Sequence, residues 1–205
     1  AARGALQRLG LLEGDAGADG TAPAVTPLGR AVARIPADVR LARALLTARG
    51  TVGARRAAEG TALLSAELRA PGGDLTALAR SVHDDGASAS AWRAEARRLE
   101  QAAESAGRIL DQARRAAGSV PSTGSAPSAG AASTDGPQAP AGATPSAATP
   151  TTPLSEAVAL VAALARPEWI THRRGPTPSA GEPAFYTSVG GAGMRTARES
   201  ALSSS

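Results

Sequence analysis

The chain has 205 residues and a formal net charge of +4, and all 22 of its basic side chains are Arg. With no Lys and no Cys, Walker-type phosphate loops, Schiff-base chemistry, thiol nucleophiles, disulfides and Cys-bearing zinc sites are excluded. The two His, His83 and His172, are too few for a three-His metal site.

The first segment, Ala2 to Leu9, reads as the end of a helix stopped by Gly10. A Gly- and Asp-rich turn follows, then a short extended piece, Ala24-Val25. Thr26 is a good N-cap with Pro27 at the first helical position, and Leu28, Val32 and Ile35 supply the apolar spacing of a short helix ended by Pro36. Asp38 caps the next helix, which runs to Gly50 with Leu41, Ala42, Leu45 and Leu46 on one face and Arg40, Arg43 and Thr47 opposite. A further helix spans about Gly53 to Leu68, weakened by Gly60. Pro71-Gly72-Gly73 breaks the chain, and Asp74 caps a short helix carrying Leu75, Leu78 and Val82.

The cleanest periodicity belongs to a long helix from about Ser90 to Ala117. Trp92, Ala96, Leu99, Ala103, Ala106, Leu110 and Ala117 form its apolar stripe, and so much Ala requires close partners. Of the hydrophobic residues 51 are Ala, while Leu, Ile, Val and Phe together number 32. The expected core is therefore thin and Ala-packed.

From Gly118 to Pro153, 33 of 36 residues are Ala, Gly, Pro, Ser or Thr. Such a segment buries too little area to offset the entropy of ordering, and it reads as a disordered linker. By direct count the flanking blocks, 1–117 and 154–205, carry +4 and +1, and the linker −1. The last block opens with an apolar helix or strand, Leu154 to Ala165, closed by Arg166-Pro167. Trp169-Ile170 and the basic pair Arg173-Arg174 follow, then a strand from Phe185 to Val189 that runs into Gly190-Gly191. The longest apolar run, Ala157 to Ala165, is far shorter than the roughly 20 residues that span a bilayer. Opening on Ala1, the chain reads as a piece of a longer protein.

Arg93, Arg97, Arg108 and Arg115 share a face of the long helix with Glu100, Glu104 and Asp111. The acid-first pairs Glu104 to Arg108 and Asp111 to Arg115 make this a solvated face rather than a phosphate track. Arg55-Arg56 and Arg173-Arg174 are better phosphate candidates, because no acid lies within two residues of either and Arg forks onto phosphate. His83-Asp84-Asp85 reads as a helix end and turn. Trp92, Trp169, Phe185 and Tyr186 read as core residues, with base stacking as the alternative for the last three. No Ser/His/acid arrangement or other catalytic constellation emerges.

The strings ALQRLGLLEG (Ala5 to Gly14), VTPLGRAVARIPADVRLARALL (Val25 to Leu46) and AAEGTALLSAEL (Ala57 to Leu68) follow one another in a telling order. With ALVAALARPEWITHRRG (Ala159 to Gly175) and FYTSVGGAG (Phe185 to Gly193), the chain resembles the helicase-associated region of bacterial HrpB-type helicases, relatives of the DEAH-box ATP-dependent RNA helicases. The resemblance implies a mainly α chain in four parts. Residues 1–36 would be the C-terminal half of a winged-helix domain and 37–117 a ratchet-like helical bundle. Residues 118–153 would be an inserted linker, and 154–205 the start of a truncated α/β, OB-like domain.

It implies a cytoplasmic protein, away from membranes, whose two RecA-like motor domains lie N-terminal to this piece and hold ATP and Mg. No cofactor is expected in the piece itself. Its implied role is to guide single-stranded RNA or DNA, with Arg173 and Arg174 matching the family's basic pair and Arg40 and Arg43 the Arg pair after its Pro. Together with Arg55 and Arg56 these form the expected contact set, and clustering around one groove would favour that role. The alternative is an Ala-rich helical module that docks protein partners, and a winged-helix DNA regulator is a third reading.

Overall fold

A computed structural model of the chain describes residues 2–14, 23–66, 74–82, 86–118, 152–176, 179 and 182–196. The expected linker falls outside them save for its ends, as do Pro71-Gly72-Gly73 and His83-Asp84-Asp85. The architecture is mainly helical, with a small antiparallel sheet at the C-terminal end.

The chain begins with α1 (Ala2–Arg8), and Gly10 (φ 72) ends it in the left-handed region that a Cβ disfavours. Strand β1 (Leu12–Glu13) pairs antiparallel with β2 (Ala24–Val25). The expected cap is present at α2 (Pro27–Val32): Gly29 N–H donates to Thr26 Oγ1 at 2.8 Å, and that hydroxyl donates to Gly10 O at 2.8 Å. One side chain thus starts a helix and ties it to the end of α1. Gly29 must be Gly, because a Cβ there would collide with the Leu11 carbonyl.

Asp38 Oδ1 accepts from Arg40 N–H at 2.9 Å and caps α3 (Val39–Val52), which passes Gly50 and stops at Gly53 (φ 83). Next are α4 (Ala54–Ser65), α5 (Leu75–Ser81), whose Ala77 N–H is capped by Asp74 Oδ1 at 3.2 Å, and α6 (Gly86–Gly118). The long helix begins about a turn earlier than the expected start at Ser90, and its 33 residues make it about 50 Å long. Trp92, Ala96, Leu99, Ala103 and Ala106 are buried, Leu110 is half-buried, and Ala117 is exposed where α6 outruns its partners.

Helix α7 (Leu154–Ala165) packs on α3 and α4, while α4 packs on α6. Leu154, Val158, Val161 and Ala165 of α7 join Leu45, Leu63 and Leu99 in one hydrophobic core. The boundary drawn at 154 by composition is therefore not a boundary in the core. Gly60, expected only to weaken α4, lies where α7 crosses it: a Cβ there would stand 3.2 Å from the Ala157 carbonyl and from Val158 N. The missing side chain lets two Ala-rich helices approach backbone to backbone, which is how a thin core is closed.

After a 3-10 turn (Pro167–Trp169) come β3 (Thr171–Arg174), β4 (Phe185–Ser188) and β5 (Gly193–Arg195), an antiparallel sheet in the order β3-β4-β5. The Gly190-Gly191 turn joins β4 to β5, with Gly191 at φ 82 and its N–H donating to Ser188 O at 2.8 Å.

Candidate nucleic-acid interface

The arginines expected to contact nucleic acid separate into three places. Arg40 and Arg43 lie in the first turns of α3. The Arg40 Nη1 sits 2.8 Å from Glu168 Oε1, in the 3-10 turn before the sheet, and Arg166 Nη1 reaches the same oxygen at 3.8 Å. Glu168's own backbone N–H holds its carboxyl below the ordinary value; desolvation opposes this, and the charge and hydrogen bond of Arg40, then the charge of Arg166, add to the lowering. Arg43 Nε donates to Leu9 O at 3.0 Å, joining α3 to the end of α1. Both arginines, with Arg8, line a cleft of about 260 Å³ floored by Leu9, Leu164 and Pro167.

Arg55 and Arg56 start α4, about 20 Å along the α3 direction from Arg40 at 1.5 Å per residue. Glu59 receives both, Arg55 Nε at 3.0 Å and Arg56 Nη1 at 2.6 Å, while its backbone carbonyl accepts from Trp92 Nε1 at 3.1 Å. Freedom from acids within two residues was the wrong window, because helical geometry brings positions three and four away onto the same face. Glu59 offsets one of these two charges at close range, and Arg55 and Arg56 do not share a groove with Arg40 and Arg43.

On α6 the acids pair at i,i+3 rather than i,i+4. Arg98 bonds Glu95 through both Nε and Nη2 at 2.8 Å, and Arg114 reaches Asp111 at 3.4 Å. Among the described residues neither Glu104 with Arg108 nor Asp111 with Arg115 forms the expected pair.

The sheet holds the third place. Consecutive strand residues face opposite sides and directly opposed residues share a side, so the register sorts every side chain. One row is Arg174–Phe185–Arg195, the next His172–Thr187–Gly193. Val189 N–H donates to Ile170 O at 2.9 Å, which continues the ladder and adds Ile170 and Val189 to the same face. Most of this face is open to solvent: Phe185 is 55% exposed, Ile170 50% and Val189 76%, and His172, Arg174 and Arg195 are exposed as well, while Thr187 between them is half-buried with its hydroxyl covered. The opposite face carries Arg173, Tyr186 and Met194 and ends in the buried Ser188. Arg173 and Arg174 therefore do not act as a pair, and only Arg174 joins the open face.

Core packing was expected for Trp169, Phe185 and Tyr186. Phe185 and Trp169 instead lie outside, Trp169 at 62% exposure with the Arg166 guanidinium 5.2 Å from its ring centroid, and only Tyr186 is partly covered. Alternation along β4 puts Phe185 on the face opposite the buried Ser188, but which of the two faces is covered is set by the neighbouring elements and not by the sequence of β4. Arg195 was missed altogether; it becomes notable only once β5 is paired with β4.

Among the described residues no group of three His, Cys, Asp or Glu could hold a metal ion, and no helix is long and apolar enough to cross a membrane. No protein-family model, no curated protein and no solved structure matches the chain.

Proposed function

We propose that the chain is a non-catalytic region that contacts and guides single-stranded RNA or DNA, the accessory part of a cytoplasmic ATP-dependent helicase. In this reading ATP and Mg belong to RecA-like motor domains of the same parent chain. Residues 1–36 then correspond to the tail of a winged helix, 37–117 to the ratchet-like bundle, and 154–205 to the start of an OB-like region. The observation that carries the reading is the exposed Arg174–Phe185–Arg195 row.

An aromatic ring open to solvent on a sheet face can stack any base, and stacking is worth about 1–3 kcal/mol per base. Strands about 4.8 Å apart place a guanidinium on each side of that ring, where phosphates flanking a stacked base can be neutralised. Among the described residues no ion pair engages Arg174 or Arg195. Contact made this way depends on shape and charge and carries little sequence preference.

Filter binding with oligo-U in increasing salt tests the reading. Phe185→Ala should weaken retention by about 5- to 150-fold at fixed salt. Arg174→Gln should make the dependence of log K on log salt shallower by about 0.7, one lost phosphate contact on a single strand. Absence of retention, or retention indifferent to salt, would remove the reading.

The rival, a helical module that docks proteins, is favoured by the pairing of Arg40, Arg55 and Arg56 with acids and by the exposed Ile170 and Val189. It predicts that oligo-U binds no better to the native chain than to Phe185→Ala.

A further inference from the structure

We propose that the cleft between α1, α3 and the end of α7 is a seat for one phosphate group, occupied by a backbone phosphodiester of the bound strand. The seat rests on the cleft's own geometry, and its occupant rests on the strand-contact reading above. Arg8, Arg40 and Arg43 line the cleft, so three arginines from two helices border one small space. The acid at its rim, Glu168, is shared between Arg40 and Arg166.

Arg43 is the oriented member. Its Nε is committed to the Leu9 carbonyl, which fixes the guanidinium plane and leaves the two terminal nitrogens as a fork. A fork of this kind matches two oxygens of one phosphate, which a point charge would not. Arg8, on the last turn of the short α1, is exposed and adds the second cation. At about 260 Å³ the cleft exceeds what a bare ion needs, since one water takes about 30 Å³. The surplus, over the apolar Leu9, Leu164 and Pro167, suits the sugar attached to a phosphodiester.

Glu168 competes for this seat. Its carboxylate occupies Arg40 at 2.8 Å, and a phosphate arriving in the cleft meets the same guanidinium. The carboxylate also precedes β3 by three residues, so the competition takes place where the bundle meets the sheet.

Anisotropy of fluorescein-labelled oligo-dT on the intact chain, in KCl from about 50 to 200 mM, tests the proposal. One seat for one phosphate predicts that Arg8→Gln and Arg43→Gln each make the salt dependence shallower by about 0.7, and that the double variant loses no more than either single one. Glu168→Gln should tighten binding. Arg8 is exposed, so its variant reads the seat even if Arg43→Gln disturbs α1.

Unchanged slopes in both arginine variants, with Phe185→Ala still weakening, would overturn the seat and leave the strand-contact reading standing. Additive slopes would overturn the single seat in favour of separate contacts, and weaker binding in Glu168→Gln would refute the competition. If the native chain fails to bind oligo-dT, the strand-contact reading falls. The ³¹P line of inorganic phosphate then decides: broadening abolished by Arg8→Gln sustains an anion seat, and an unbroadened line refutes it.

Discussion

Gly50 and Gly60 lie in consecutive helices, yet a methyl group added to each meets opposite surroundings. Around Gly50 there is nothing within 4 Å, whereas at Gly60 the backbone of α7 stands at 3.2 Å. Gly50→Ala should therefore stabilise the chain by about 0.5–1 kcal/mol through helix propensity alone. Gly60→Val should cost about 1–3 kcal/mol, because backbone cannot yield as a side chain can. Urea unfolding of both variants checks the contrast, and equal effects would mean that α7 does not approach this closely. Gly107 shows a third situation: Arg49 lies across it and donates from Nη1 to the Ala103 carbonyl at 2.9 Å, so a Cβ would displace the guanidinium. Arg49→Ala should cost about 1 kcal/mol, the worth of the lost hydrogen bond, whereas Gly107→Ala should come out near zero, because the helix-propensity gain of about 0.5–1 kcal/mol offsets the same loss. The double variant should cost less than Arg49→Ala alone, a coupling that a double-mutant cycle measures. At this scale the caps were legible, since Thr26, Asp38 and Asp74 act on groups two or three residues away. Arg49, whose partner is 54 positions distant, carries no local signal.

Between elements, electrostatics is the most condition-dependent link. The Arg40–Glu168 pair joins the start of α3 to the turn before β3. Because the Glu168 carboxyl is lowered in the folded chain, chiefly by its own backbone N–H and further by Arg40, its charged form contributes stability above the carboxyl's unfolded pKa. That contribution fades as the pH falls through the lowered folded value. Native chain and Glu168→Gln should therefore differ in melting temperature at neutral pH and converge below the ordinary carboxylate range. With side-chain exposures of 39% and 44% the difference is small and should shrink further in salt. A gap that persists at low pH would show that Glu168 acts through packing. The sheet teaches a related point about legibility. The positions of β4 and the Gly190-Gly191 turn follow from local composition, but which face of β4 meets solvent depends on its partners. Phe185 and Trp169 read as core because apolar residues usually are, and a three-stranded sheet with one open face reverses that expectation. The helical arginines make a different point: Glu59, three and four positions beyond Arg56 and Arg55, meets both because helical geometry and not sequence adjacency sets which residues share a face.

For the molecule as a whole, the decisive fact is that α7 completes a core begun by α3, α4 and α6. Composition drew a line at the Ala- and Pro-rich interval, and hydrophobic contact ignores that line because core formation depends on faces rather than on chain continuity. A chain ending at Gly118 lacks Leu154, Val158 and Val161, which pack in the same core as Leu45 and Leu63. Its circular-dichroism melt should lose cooperativity, and a peptide spanning 152–205, added in trans, should restore a sharp transition. A sharp melt for the truncated chain by itself would show that the first block is self-sufficient.

That same arrangement has a consequence for assembly. In sequence 35 positions lie between the end of α6 and the start of α7, so the contacts that seat α7 are long-range ones, which a second copy of the chain can supply equally well. Two chains can trade these helices reciprocally, each plugging the other's vacancy with identical contacts, at little enthalpic penalty. Such a swapped pair would present two Phe185 faces at once, and its grip on a long polymer would then reflect avidity rather than the strength of a single site.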